Sequence, residues 1–183
     1  MDFEEVLTVF LSATLGTPYH YGGDTPMEGY DCSGFVMEYL KMWGIAPPTD
    51  SSSDMIYDWF QADQRRFQHY KPGVGALVFY GKKSPDGRSI ARISHIALMI
   101  NDHQIAEAGG GDQRTLSKQE AINKKAFVRI RPYQYRKDML ITIMPTYPEW
   151  AKHPGRLRSP IVRNCPVNSS CVTDDQLLLP WYY

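Results

Sequence analysis

Apolar residues recur at helical spacing from the start of the chain. Phe3, Val6, Leu7, Phe10 and Leu11 share one face, which predicts an amphipathic helix ended by Gly16 and Pro18. A second helical stripe, Phe35, Val36, Tyr39, Leu40 and Trp43, follows Asp31-Cys32-Ser33-Gly34 and is stopped by Gly44 and Pro47-Pro48. The first stripe needs a partner, and the second is the simplest one. Residues 17–31 between them form a loop rich in Gly, Pro and Tyr. Met55, Ile56, Trp59 and Phe60 predict a third helix to about residue 64, with N-cap candidates from Thr49 to Asp54.

After the turn Lys71-Pro72-Gly73-Val74-Gly75 the period changes. Short apolar runs at 76–80, 93–100, 104–108, 127–131 and 139–144 read as strands. Ser84-Pro85-Asp86-Gly87, Asn101-Asp102-His103 and Gly109-Gly110-Gly111 punctuate them, and Thr115 or Ser117 caps a short helical piece through Ile122. Helices first and antiparallel strands afterward is α+β order, without the strand–helix alternation of a doubly wound sheet. No internal repeat is present. Beyond Pro145, prolines at 148, 154, 160, 166 and 180 exclude long regular elements, while Trp150, Trp181, Tyr182 and Tyr183 are too apolar for a free tail. The expected division is a domain over 1–145 and an irregular extension over 146–183, packed on that domain or on a protein partner.

Composition narrows the class. Hydrophobic residues at 43% and charged residues at 22% are globular proportions. Lys plus Arg equals Asp plus Glu, 20 against 20, so no net field draws the chain to nucleic acid. No stretch approaches the roughly 18 apolar residues that a membrane-spanning helix requires. Met1-Asp2-Phe3-Glu4-Glu5 is acidic where a secretory leader is basic, so synthesis in the cytoplasm is expected, with any delivery to a cell wall by another route. Three cysteines, without paired spacing, do not describe a disulfide framework.

Cys32 is the cysteine whose surroundings call for chemistry. It stands at a helix N-terminus, where free N–H groups and the helix dipole stabilise negative charge on sulfur. A thiol nucleophile needs a base, and the base an orienting group. Among five histidines, His95 begins the most apolar strand, where the pleat fixes its ring; it reads as that base or as a hydrogen-bonded rim histidine. Glu107 comes within cross-strand or diagonal reach of His95 if the chain turns near Asp102, as an orienting carboxylate or an exposed strand residue. Tyr19 either points its hydroxyl toward an oxyanion or supports the loop. Asp31 and Ser33 contact substrate or cap the helix. Cys165 and Cys171 lack the histidines and spacing of a zinc site, the remaining histidines share no ligand spacing, and no cofactor motif is present.

These residues resemble the NlpC-type cell-wall cysteine peptidases, small relatives of the papain fold. The likeness lies in Gly16-Thr17-Pro18-Tyr19-His20-Tyr21-Gly22-Gly23, Asp31-Cys32-Ser33-Gly34-Phe35-Val36, Pro72-Gly73 before 76–80, Ser94-His95-Ile96-Ala97 and Ile105-Ala106-Glu107-Ala108, in the family's order. The resemblance implies a papain-like α+β fold, Cys32 as nucleophile, His95 as base, Glu107 at the orienting position and Tyr19 at the oxyanion site. It implies a peptidoglycan peptide as substrate, cut at an amide bond such as D-glutamyl-diaminopimelate through a thioester. Two features differ from the family pattern: the orienting position is most often His, Asn or Gln, and Pro-Gly-Asp is replaced by Pro72-Gly73-Val74. Competing expectations are an amidase or acyltransferase on the same scaffold, or a silent binding module that docks through its aromatic tail.

Overall fold

In a computed structural model, residues 3–45, 47 and 51–151 are described. Helix α1 (Phe3–Thr14) buries Phe3, Val6, Leu7, Phe10 and Leu11, the face that the spacing predicts. Gly16, at φ +82°, reverses the chain behind it. The loop holds a small two-stranded ribbon, β1 (Asp24–Thr25) and β2 (Gly29–Tyr30), which no hydrophobic pattern announces because two-residue strands carry no period.

Helix α2 (Cys32–Met42) follows, and α3 (Ser53–Gln61) lies beyond it. The third helix ends short of the predicted boundary. Asp63 accepts a hydrogen bond from the Arg65 N–H and caps a separate 3-10 turn at Gln64–Arg66, so the backbone restarts instead of continuing.

The chain then builds one six-stranded sheet from β3 (Phe67–His69), β4 (Leu77–Lys83), β5 (Ile90–Asn101), β6 (Gln104–Gly109), β7 (Phe127–Pro132) and β8 (Met139–Pro145). Helix α4 (Lys118–Lys124), capped by Ser117, connects β6 to β7. The strand order is β3-β8-β4-β5-β6-β7 with every neighbouring pair antiparallel, so the fold is the expected α+β architecture. Strand β3 is absent from the sequence reading because its three residues are half-buried or exposed. Strands β4 and β5 run longer than their apolar cores, since Lys82, Lys83, Ile90 and Arg92 pair beyond the buried section.

Aromatic packing joins the helices to each other and to the end of the sheet. Phe10 meets Phe35 and Tyr39 at centroid distances of 5.0 and 5.3 Å, and Phe3 stacks on Trp43 at 4.9 Å. The two predicted stripes are therefore mutual partners, and each buried Phe contributes roughly 1.5–3 kcal/mol. Just after β8, Tyr147 is buried against Phe3 and Trp43, and its hydroxyl donates to the Gly75 carbonyl at 2.6 Å. Residues 152–183 lie outside the described residues, and with them most of the predicted extension, including Cys165 and Cys171.

Candidate active site

Three hydrogen bonds to one carboxylate put Cys32 where it is. Asp31 is the N-cap of α2: its Oδ1 accepts from the Gly34 N–H and from the Ser33 hydroxyl, both at 2.8 Å. Its Oδ2 accepts from the Gly22 N–H at 3.0 Å. One carboxylate thus ends the loop and starts the helix, leaving Cys32 as the first helical residue with its own N–H outside the intrahelical ladder. The first turn also lies flat on the loop. A Cβ on Gly34 would stand 2.1 Å from the Gly23 carbonyl oxygen, so the glycines of both motifs are points of backbone contact.

Tyr19 is positioned by the sheet edge. The loop is stitched to β7 and the residue before it by hydrogen bonds from Gly16 N–H to Val128 O, from Val128 N–H to Thr17 O and from Tyr19 N–H to Ala126 O, at 2.9, 2.8 and 2.9 Å. Tyr19 is buried, and burial, reinforced by the neighbouring Cys32 and Asp31, pushes its phenol well above the ordinary range. Its hydroxyl therefore keeps its proton and can donate a hydrogen bond.

His95 sits opposite Tyr80 across the β4–β5 ladder, their ring centroids 5.6 Å apart. The ladder slips next to this pair: Tyr80 faces His95, but Gly81 faces Ile93, so Ser94 is an extra residue. Such bulges re-aim side chains beside functional sites. Gly81 permits this one, because a Cβ there would lie 2.0 Å from the Arg92 carbonyl oxygen.

Glu107 on β6 is fully buried, and its Oε2 is 2.6 Å from Nε2 of His95. The pairs Leu98–Ala106 and Met99–Ile105, continued along the strands, put Glu107 opposite Ala97 and one diagonal step from His95. Two further residues surround the carboxylate. The Tyr135 hydroxyl donates to Oε2 at 2.6 Å and approaches Oε1 at 2.8 Å, and Arg129, the β7 partner of Glu107, brings its Nε to 3.8 Å from Oε1.

The electrostatics follow from these contacts. Burial works against a charged His95, but the adjacent Cys32 sulfur and the Glu107 carboxylate outweigh it, and His95 is pushed up from 6.5 to about 9. With Nε2 given to Glu107, Nδ1 is the nitrogen left for the sulfur. Burial also works against a charged Glu107, yet His95, Tyr135 and Arg129 hold its carboxyl below the ordinary value of 4.5.

The structure therefore brings Cys32, His95, Glu107 and Tyr19 into one cluster. Cys32 and Tyr19 face a cleft of about 960 Å³, walled also by Ser33, Ser94, Arg92 and Arg114, while His95 and Glu107 are buried behind it. Asp31 and Ser33 line the same cleft, with their polar atoms engaged in the helix cap. Tyr135 escapes a reading of the sequence because it stands in a connection without a motif; Arg129 could be found only by pairing β6 with β7. Among the described residues no group of three or more His, Cys, Asp or Glu side chains is arranged to hold a metal ion, and no helix is long and apolar enough to cross a membrane.

Comparison with known proteins meets this geometry. The model of the NlpC/P60 family matches residues 16–132, which include all four clustered residues. Gamma-DL-glutamyl hydrolase of Bacillus subtilis (strain 168) is 29% identical over 104 residues, 56% of this chain and 22% of that protein. The bifunctional muramidase/DL-endopeptidase CwlT of the same organism is 26% identical over 102 residues, 56% of this chain and 28% of that protein. The chain thus spans less than a third of the length of either curated relative. The crystal structure of the NlpC/p60 domain of the peptidoglycan hydrolase SagA superposes with a TM-score of 0.50 at 20% identity, covering 76% of this chain and 97% of that one. At such identity the likeness speaks for the fold alone.

Proposed function

This chain belongs to the NlpC/P60 family, and from that premise we propose that it is a peptidoglycan hydrolase, a cysteine endopeptidase that cuts an amide bond of the stem peptide such as D-glutamyl-diaminopimelate. The observation that carries the reading is the buried His95–Glu107 pair, 2.6 Å apart, with Cys32 beside the ring and open to the cleft. The names of the two curated relatives, a gamma-DL-glutamyl hydrolase and a muramidase/DL-endopeptidase, support the same bond class.

In this reading His95 takes the proton of the Cys32 thiol, and Glu107 steadies the imidazolium that forms. The thiolate attacks the amide carbonyl carbon. The developing oxyanion is met by the Cys32 backbone N–H and by the Tyr19 hydroxyl. As the C–N bond breaks, His95 passes its proton to the leaving amine, and a thioester remains on Cys32. Neutral His95 then takes a proton from water, the hydroxide adds to the thioester, and the carboxylate product leaves as Cys32 returns to thiolate. Asp31 and Ser33 line the substrate's path, and residues 1–145 form the catalytic unit.

The test is to incubate the protein and a Cys32→Ala variant with defined muropeptides and read the product masses. Two fragments whose masses sum to substrate plus one water, absent with Cys32→Ala, are expected. A product retaining an added amine would replace the hydrolase with an acyltransferase. Intact muropeptides after prolonged incubation with the unmodified protein would sink the enzymatic reading.

A further inference from the structure

The run Gly109-Gly110-Gly111 lacks the lysine and the spacing of a phosphate loop, yet it borders the site. Only Gly110 needs to be glycine for its backbone, at φ +91°. The other two have backbones open to any residue, so their missing side chains require another reason. At Gly109 the reason is Glu107. A Cβ on Gly109 would stand 2.6 Å from Glu107 Oε1 and 3.0 Å from its Cδ. Residues 107 and 109 share one face of β6. The carboxylate reaches His95 by leaning along its own strand into space that an alanine would fill.

A carboxylate that leans into open space also needs a second anchor, or it rotates away from the imidazole. Tyr135 supplies it through a hydroxyl within hydrogen-bond distance of both oxygens, 2.6 Å from Oε2 and 2.8 Å from Oε1. Burial and the adjacent Glu107 charge keep that phenol protonated, so it remains a donor. The groups facing Glu107 are His95 from β5, Arg129 from β7, Tyr80 from β4 and Tyr135 from the β7–β8 connection; His95 in turn faces Cys32 of α2 and Asp138.

We propose that Gly109 and Tyr135 are positioning residues of this site: the first leaves the volume, and the second supplies the donor, that together aim the Glu107 carboxylate at His95. This inference rests on the reading of Cys32 and His95 as nucleophile and base. It extends that reading to two residues that touch neither the sulfur nor the substrate.

The experiment compares Gly109→Ala, Tyr135→Phe, Glu107→Gln and the double variant Gly109→Ala/Glu107→Gln in the full chain. Thermal unfolding, kcat and KM on a muropeptide, and NMR titration of isotope-labelled His95 and Glu107 are measured. The atoms in the way of the new methyl are the far end of a flexible side chain, so Gly109→Ala folds, with a melting temperature no lower than that of Glu107→Gln. Its kcat falls about a hundredfold with KM little changed, the expected cost of a misplaced catalytic group. Its His95 midpoint drops by about one pH unit or more as the carboxylate withdraws. In the Glu107→Gln background the same alanine costs little further kcat, because the orientation it disturbs is already lost. Tyr135→Phe moves the Glu107 midpoint upward and lowers kcat while keeping KM.

Gly109→Ala with full kcat and an unmoved His95 midpoint, or a Gly109→Ala chain that fails to fold, overturns the role of Gly109. An unmoved Glu107 midpoint in Tyr135→Phe overturns the role of Tyr135. If the unmodified protein leaves muropeptides intact, the functional reading fails separately, and the two titrations still judge the positioning.

Discussion

At the residue scale His95 sits between opposed influences, burial against charge and its neighbours Cys32 and Glu107 in favour of it, and the neighbours prevail to bring its titration to about 9. A histidine raised above its unfolded value of 6.5 contributes its stabilisation in full below that pH and loses it as pH climbs through about 9. Glu107 is displaced the other way, so its contribution is present above its ordinary 4.5 and disappears as pH falls through the depressed folded value. The pair is most stabilising between 4.5 and 6.5. Thermal melts should therefore show Tm declining from pH 6.5 to about 9 in the unmodified protein and much less in Glu107→Gln. The pH profile of kcat/KM should fall on the same basic side, as the imidazolium is lost near pH 9. In Glu107→Gln that limb should move down by about one pH unit or more. A limb that stays in place would show that Glu107 does not act on the ring.

The element that matters most is the start of α2. Gly34→Ala places a methyl 2.1 Å from a backbone oxygen of Gly23, and neither partner is a side chain that can swing aside. Overpacking of this kind costs about 1–3 kcal/mol or more, which a urea midpoint would report, with activity lost alongside because Cys32 rides on the same turn. Asp31→Ala removes the cap and releases Gly22, with an expected loss of about 1–2 kcal/mol. A urea midpoint unchanged in Asp31→Ala would mean that the loop and helix hold each other by other contacts. Helix α2 is plain in the sequence because a stripe, a cap and a stop coincide. The bulge at Ser94 is not, because a one-residue slip belongs to the pairing of two strands and leaves no mark in either alone.

At the scale of the whole molecule, Tyr147 ties the exit of the sheet to its entry and to the first two helices. Its hydroxyl meets Gly75 and Tyr39, and its ring meets Phe3, Tyr39 and Trp43. Tyr147→Phe should cost about 1–2 kcal/mol for a lost buried hydrogen bond. Tyr147→Ala should cost about 3–5 kcal/mol, read by chemical denaturation, and a near-neutral result would show that residues 146–151 are not part of the packed unit. Local pattern alone determined the amphipathic helices, the antiparallel run of strands, and the nomination of Cys32, His95, Glu107 and Tyr19, since spacing, caps and turn residues act within a few positions. Only the tertiary structure decided which side chains complete the site. Tyr135 and Arg129 meet Glu107 from other parts of the chain, and Gly109 matters for a volume it leaves empty. Contacts between distant segments depend on register and on space already filled by neighbours, and neither is written in the order of residues around any one of them.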